Sequence, residues 1–333
     1  MAQMKYYYEL TVSSSPHVHA NVTTRTIMRD VLIALVPALA GSVYFFGFRA
    51  LMVTLVSIAS CVFFEWAYIK MTNGISKVYD LSACVTGALL AFVCPPTIAY
   101  WQIVLGAAFA IMLVKMLFGG LGRNIVNPAL AGRAFMFSWP VAMSTWIQVG
   151  FENAAPVLGS VDIVTAPTPL AAMHQGQMPE ASILDMFLGN VGGCIGETSV
   201  LLLLIGFAYL LWRKVITLRI PVAYIGTVAV LTFLFPMGQP RLLWMAYQLC
   251  GGGLMLGAIF MATDYVTSPV TAKGQIVYGI GCGLLTVLIR YFGGYNEGVS
   301  YAILIMNFTV VLLDRIGRPT KYGASAKRKE AAK

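Results

Sequence analysis

The sequence predicts an all-α polytopic integral membrane protein, with about ten transmembrane helices in two related five-helix halves and both termini cytoplasmic. Three observations carry this. Hydrophobic residues make up 59% of the 333 positions and charged residues only 11%, with mean hydropathy +0.78; a soluble domain carries roughly 25% charged residues. Apolar runs of about 20 residues, enough to cross a bilayer core as a helix, recur along the chain. These runs are continuous rather than alternating. That selects helices over a closed β-barrel, the other structure able to satisfy its backbone in lipid.

Residues 1–26 form a polar N-terminal segment containing Glu9, His17 and His19. The first half, 27–146, holds spans at 27–48, 50–70, 79–96, 101–118 and 128–146. The first span starts too late, and lacks the small-residue pattern, for a cleaved signal peptide. The fifth starts at Pro128, carries Arg133 early and is interrupted by Pro140. A long loop, 147–196, separates this half from the second, 197–316, with spans at 197–213, 218–236, 243–262, 274–293 and 298–316. Residues 317–333 are a basic tail.

Orientation follows from the distribution of lysine and arginine. The tail carries Arg315, Arg318, Lys321, Lys327, Arg328, Lys329 and Lys333, which places it in the cytoplasm. An even number of spans puts Lys5, Arg25 and Arg29 on the same side. Lys70, Lys77, Arg123, Arg213, Lys214, Arg219 and Lys273 then also fall inside, leaving Arg49, Arg241 and Arg290 outside. The net charge of +9 is accounted for by anionic lipid at the inner surface, so nucleic acid is not expected as a partner. Between Arg133 and Arg213 there is no lysine or arginine, but there are Glu152, Asp162, Glu180, Asp185 and Glu197. The 147–196 loop is therefore external and acidic, and loops of this length are usually functional or disordered.

Soluble-type chemistry is absent from the sequence. Cys61, Cys84, Cys94, Cys194, Cys250 and Cys282 show neither metal-ligand nor iron–sulfur spacing. No glycine fingerprint follows a strand, so no nucleotide fold is indicated. No catalytic or metal-ligating residue is assigned, and the chain is not expected to act alone.

Several motifs stand out. Gly119–Phe135 opens with glycines and contains Asn127 followed by Pro128, a capping residue and the preferred first residue of a helix. Arg133 then lies about a turn and a half into that helix, where a charge must pair, face an anion or snorkel to the interface. Phe260–Pro269 ends a span with Asp264 beside Thr263, Thr267 and Ser268, oxygen-rich chemistry suited to a cation or a proton. Asp80 is placed as an N-cap for the third span. Glu65 is a carboxylate inside the second span and so a functional candidate. Glu197 precedes the sixth span, at a favourable helix N-terminus. Gly251–Gly253 and Gly279–Gly283 read as small-residue helix contacts. Asn127-Pro128-Ala129 echoes Ser268-Pro269-Val270, consistent with two related halves. Within the external loop, Asp162-Ile-Val-Thr165-Ala-Pro-Thr168-Pro-Leu170 forms a proline-rich turn that presents two hydroxyls.

The blocks Asp80–Gly87, Gly119–Phe135, Gly196–Ser199 and Phe260–Pro269, in this order and spacing, give the chain a resemblance from about residue 25 to 316 to the RnfD/NqrB family. That family contains the RnfD component of the Rnf ion-translocating oxidoreductase and the NqrB component of the sodium-pumping NADH:quinone reductase; the length is closer to the Rnf component. The resemblance implies FMN linked as a phosphoester to a threonine, in a motif near Asp-x-x-Ser/Thr-Gly-Ala-Thr. Asp162, Thr165 and Thr168 match it, with Thr168 as the acceptor; Ala166 and Pro167 replace the Gly-Ala. It further implies a second, non-covalent riboflavin, a flavin transferase for maturation, iron–sulfur and flavin subunits as partners, and contact with ferredoxin and NAD only through them. The location implied is the bacterial inner membrane, with the flavin loop on the outer face. Under this reading Arg133 stabilises flavin, and Asp264, Asp80 and Glu65 are candidates for an ion pathway carrying Na⁺ or H⁺. Two alternatives stay open: a quinone-reductase component, and a flavin-free channel or transporter on the same scaffold.

Overall fold

A computed structural model describes residues 22–72, 78–146, 156–157, 168–197 and 199–316. Asp162 and Thr165 lie outside the described residues. All regular structure among the described residues is helical.

The first half runs α1 (Thr24–Phe46), α2 (Phe48–Met71), α3 (Ser82–Phe92), α4 (Tyr100–Ala108), α5 (Pro128–Met136) and a single turn, α6 (Pro140–Met143). Two short helices of the connecting loop follow, α7 (Pro169–His174) and α8 (Ile183–Leu188). The second half contains α9 (Val200–Trp212), α10 (Arg219–Leu234), α11 (Arg241–Cys250), α12 (Leu254–Leu256), α13 (Ala272–Phe292) and α14 (Val299–Leu313). Both α4 and α12 continue as π-helical turns, over Phe109–Met116 and Gly257–Met261. Such turns are uncommon and are frequent at functional sites.

Three helices, α1, α2 and α13, are long and apolar enough to cross a membrane. The pair α11 and Leu254–Met261 passes the same test together, bent by 64°. The other apolar helices are shorter, and local chemistry explains why. Pro95 and Pro96 stop the expected 79–96 span at Phe92. The 128–146 span ends at Met136, and Pro140 starts a separate turn. Gly251–Gly253 is a break in the eighth span rather than a helix-contact surface, with Gly252 at φ 68°. Phe63, Trp66, Trp212, Phe308 and Val311 face outward, an arrangement a soluble protein avoids and a lipid-facing surface requires.

The end of the connecting loop is joined to the first half at the break after α3. Ile195 N–H donates to Cys94 O at 3.0 Å and Gly196 N–H to Phe92 O at 2.9 Å. A Cβ on Gly196 would overlap the Phe92 ring, so glycine permits this approach. From the first half, Arg49 is buried and donates to Pro96 O at 2.9 Å and Ile98 O at 3.2 Å, fixing the loop after α3. Helices α10 and α13 pack along each other, and Tyr224 and Thr286 share a buried 2.6 Å hydrogen bond between them.

Candidate functional site

The larger cavity, about 260 Å³, lies where the two halves and the connecting loop meet. Its polar end is made by Arg133, Glu197, Glu297 and Ser300; Phe137, Trp146, Tyr295 and Tyr301 form aromatic walls. Phe137 and Tyr295 meet edge-on at 5.7 Å, and Tyr295 lies 5.3 Å from Tyr301. Thr168 opens onto the same space. Small-molecule pockets usually measure about 300–1,000 Å³, so this one lies just below the range.

Arg133 is delivered by the helix start legible in the sequence. The Asn127 side chain accepts from Ala129 N–H and Leu130 N–H, and Pro128 takes the first position of α5. The guanidinium is 2% exposed. Nη1 donates to Glu297 Oε1 at 2.9 Å and to Ser300 Oγ at 2.6 Å, while Nη2 pairs with Glu297 Oε2. Its Cζ stands 5.6 Å from the Phe137 ring. Arg133 is thus bidentately paired, the strong geometry for a guanidinium and a carboxylate, and does not snorkel.

Glu297 carries no signal of its own in the sequence, and pairs with a residue 164 positions away. Glu197 is not the cap of the sixth span. Ser199 caps α9, accepting from Leu202 N–H, and Glu197 turns into the cavity 3.7 Å from Arg133 Nη1. Cys194, Glu197 and Glu297 converge within 4.8 Å; Arg133 already fills the place of their cation, so the cluster is not read as a metal centre. Arg290 is also buried. It donates to Gln248 O at 2.6 Å and Gly251 O at 2.9 Å, holding the α11–α12 break open beneath the cavity.

Thr168 caps α7, its Oγ1 accepting from Ala171 N–H at 3.2 Å. The helix is anchored through Leu170 and Met173, buried against Met186 and Trp244. Each fully buried side chain of this kind contributes about 1.5–3 kcal/mol. His174 Nδ1 hydrogen-bonds Arg290 O at 2.7 Å and ties α7 to α13. The threonine is thereby held at the cavity's edge.

Of the three carboxylates expected in an ion pathway, Asp264 lines a second cavity of about 70 Å³ with Ser82, Lys115, Asn124 and Asn127, while Glu65 and Asp80 connect to that lining through Lys115 and Ser82. Glu65 is buried and accepts from Lys115 Nζ at 2.9 Å. Lys115 also donates to Ser82 Oγ at 2.6 Å, and Ser82 Oγ to Asp80 Oδ1 at 2.6 Å. Asp80 is not itself the N-cap. Leu81 holds that position at φ 64°, and Asp80 reaches past it to accept Ser82 N–H at 2.8 Å. Asp264 accepts from Thr267 Oγ1 at 3.0 Å. The echo between the halves shifts as well: Pro128 begins α5, but Thr271, not Ser268, caps α13. The stronger correspondence is that each loop follows a π-helical stretch, and Asn127 Nδ2 reaches Met261 O at 3.4 Å.

Helix α5 links the two sites, its start lining the small cavity and Arg133 the large one. Six residues of helix separate Asn127 from Arg133, about 9 Å at 1.5 Å per residue.

An all-helical membrane protein with two polar sites along one short helix is the class that fold and site define. The chain belongs to the NQR2, RnfD, RnfE family, whose model matches residues 11–323. It is 47% identical over 328 residues to the D subunit of the Na(+)-translocating ferredoxin:NAD(+) oxidoreductase complex of Acetobacterium woodii, covering 97% of this chain and 98% of the relative. Identity to the D subunit of the proton-translocating ferredoxin:NAD(+) oxidoreductase complex of Clostridium ljungdahlii is 42%, covering 94% and 96%. To the D subunit of the ion-translocating oxidoreductase complex of Stutzerimonas stutzeri it is 38%, covering 91% and 93%.

Proposed function

We propose that this chain is the membrane electron-carrier subunit of an Rnf-type ferredoxin:NAD⁺ oxidoreductase, with FMN esterified to Thr168 and electron transfer coupled to cation translocation. The observation that carries the flavin reading is the position of Thr168: the residue lines an aromatic-walled cavity whose polar end holds Arg133. Aromatic walls suit a flat tricycle, and a buried guanidinium suits added negative charge. Bound there, FMN would supply one- and two-electron redox chemistry. The chain's own part is to hold the ring through α7, exclude water with Phe137, Tyr295 and Tyr301, and set the local field with Arg133. The chain crosses the membrane about ten times in two related halves, both termini cytoplasmic and the flavin loop on the outer face.

The second, non-covalent riboflavin finds no volume in the smaller cavity, whose 70 Å³ suits water-sized groups and cations. Its lining oxygens on Ser82, Asn124, Asn127 and Asp264, connected to Asp80 and Glu65 through Ser82 and Lys115, instead suit an ion pathway. Similarity does not divide Na⁺ from H⁺, since the relatives are named for both.

The test is intact-mass analysis and in-gel fluorescence of the chain co-expressed with a flavin transferase, beside Thr168→Ala. A mass gain of one FMN less water, lost in the variant, is expected. Retention in the variant would move the site to Thr165. Absence from the wild type, with the transferase active on a control, would favour a channel or transporter. Co-purification with a ferredoxin-type iron–sulfur subunit separates the Rnf assembly from a quinone reductase.

A further inference from the structure

Two carboxyl groups sit side by side at the polar end of the larger cavity. Glu197 is 8% exposed, and its carboxylate lies within 4.8 Å of that of Glu297. Gly253 makes the room: a Cβ there would overlap both Glu197 Oε1 and Glu297 Oε1. The nearby cations are committed elsewhere. Arg133 gives both terminal nitrogens to Glu297 and stays 3.7 Å from Glu197 Oε1, too far for a hydrogen bond. Arg290 gives its terminal nitrogens to Gln248 and Gly251, and its Nε to the Glu297 backbone oxygen. Glu197 Oε1 is left with no hydrogen-bond partner.

A buried carboxylate oxygen without a donor is costly, and two carboxylates sharing one site do not readily both ionise. One proton resolves both difficulties, because neutral Glu197 becomes the donor that the pair lacks.

We propose that Glu197 and Glu297 hold one proton between them, carried on Glu197 Oε1, and that the pair is a proton donor to the larger cavity. Arg133 from α5, Cys194 beside Glu197 and Tyr301 from α14 line the cavity with it, and Arg290 from α13 donates to the Glu297 backbone oxygen; Cys94 from the break after α3 and Tyr224 from α10 act on the pair only through the field. When negative charge develops in the cavity, the Glu197 O–H bond breaks and the proton passes to the charged group. The bonding electrons stay on the carboxylate, where Arg133 Nη1 at 3.7 Å compensates them. No electron enters or leaves the pair. The proton site stands on geometry alone; only the acceptor's identity rests on the flavin reading.

The experiment is infrared spectroscopy of the full chain in its complex, in H₂O and D₂O. The flavin-free Thr168→Ala form is compared with the same form carrying Glu197→Gln or Glu297→Gln. The expected result is one protonated-carboxyl C=O band that shifts in D₂O and is lost in Glu197→Gln, whose amide keeps the shape and a donor. It is also lost in Glu297→Gln, where Arg133 becomes free to hold Glu197 ionised. A spectrum unchanged by both substitutions overturns the proposal. In the flavin-loaded wild type, loss of the band on reduction supports the donor role, and its persistence overturns it. A chain that shows the band but no flavin by mass refutes the flavin reading alone.

Discussion

Replacing Arg133 with methionine keeps an unbranched stem and removes the cation that holds Glu297. Arg133 is 2% exposed, and the Glu297 side chain 19%, so the two carboxyl groups lose their principal compensation where little water reaches them. Breaking a buried pair in this way costs about 3–5 kcal/mol, whereas an exposed pair is worth about 0–1 kcal/mol. The larger figure lowers the folded-to-unfolded ratio by roughly two to three and a half orders of magnitude. The loss belongs to the stranded charge rather than to missing packing. Adding Glu297→Gln should therefore recover more than half of it, leaving Glu197 and a neutral amide at the cavity. The assay is unfolding of wild type, both single variants and the double variant in one detergent, analysed as a double-mutant cycle. Additive singles, or a cost below about 1 kcal/mol for Arg133→Met, would refute the claim that these groups form a desolvated unit.

Three more outcomes follow from the same geometry. Gly253→Ala forces a Cβ against Glu197 and Glu297, so a loss of about 1–3 kcal/mol is expected in thermal unfolding; a neutral result would mean the carboxyl groups have room to part. Lys115→Met leaves Glu65 buried without its cation and should cost about 3–5 kcal/mol, with Glu65→Gln in the same chain restoring most of it; the check is detergent unfolding, and no rescue would show that Lys115 acts through Ser82 instead. Exposed Asp185 is held below the usual carboxylate range by the Ser182 hydroxyl, with which it forms a capping box on α8. A lowered folded-state value contributes stability above the unfolded value and loses it as pH falls through the folded one, so the protection of α8 amides relative to their intrinsic exchange rate at each pH should fall on acidification, and Ser182→Ala should flatten that response.

Much of the first site was legible in the sequence because local rules write it. Asn127 and Pro128 announce the start of α5, and a charge at Arg133 inside an apolar run demands a partner. The partner itself was not legible. Glu297 lies one residue before an apolar run, where an acid reads as interfacial, and no local spacing connects it to a residue 164 positions earlier. Lys115 was missed for a related reason: near the end of a span a lysine resembles one that snorkels, and only tertiary packing sets it on Glu65. Helix lengths were overestimated where hydropathy continues through Pro95, Pro140 and Gly251–Gly253. A hydropathy window sees transfer energy, whereas the break depends on a missing donor or a left-handed backbone. Asp80 and Glu65 stand out in the sequence as isolated suspects, but their connection through Ser82 and Lys115 has no trace in one dimension.

The joint between the connecting loop and the first half is written in main-chain atoms. Ile195 and Gly196 offer N–H groups to Cys94 and Phe92 carbonyls, so ordinary side-chain drift at positions 94 and 195 leaves the seam intact. Position 196 tolerates only glycine on steric grounds, and proline at 195 would delete a donor outright. The seam is therefore vulnerable to two kinds of change and nearly indifferent to the rest. An engineer wishing to loosen the connecting loop from the first half should introduce Ile195→Pro and leave the surrounding apolar residues alone.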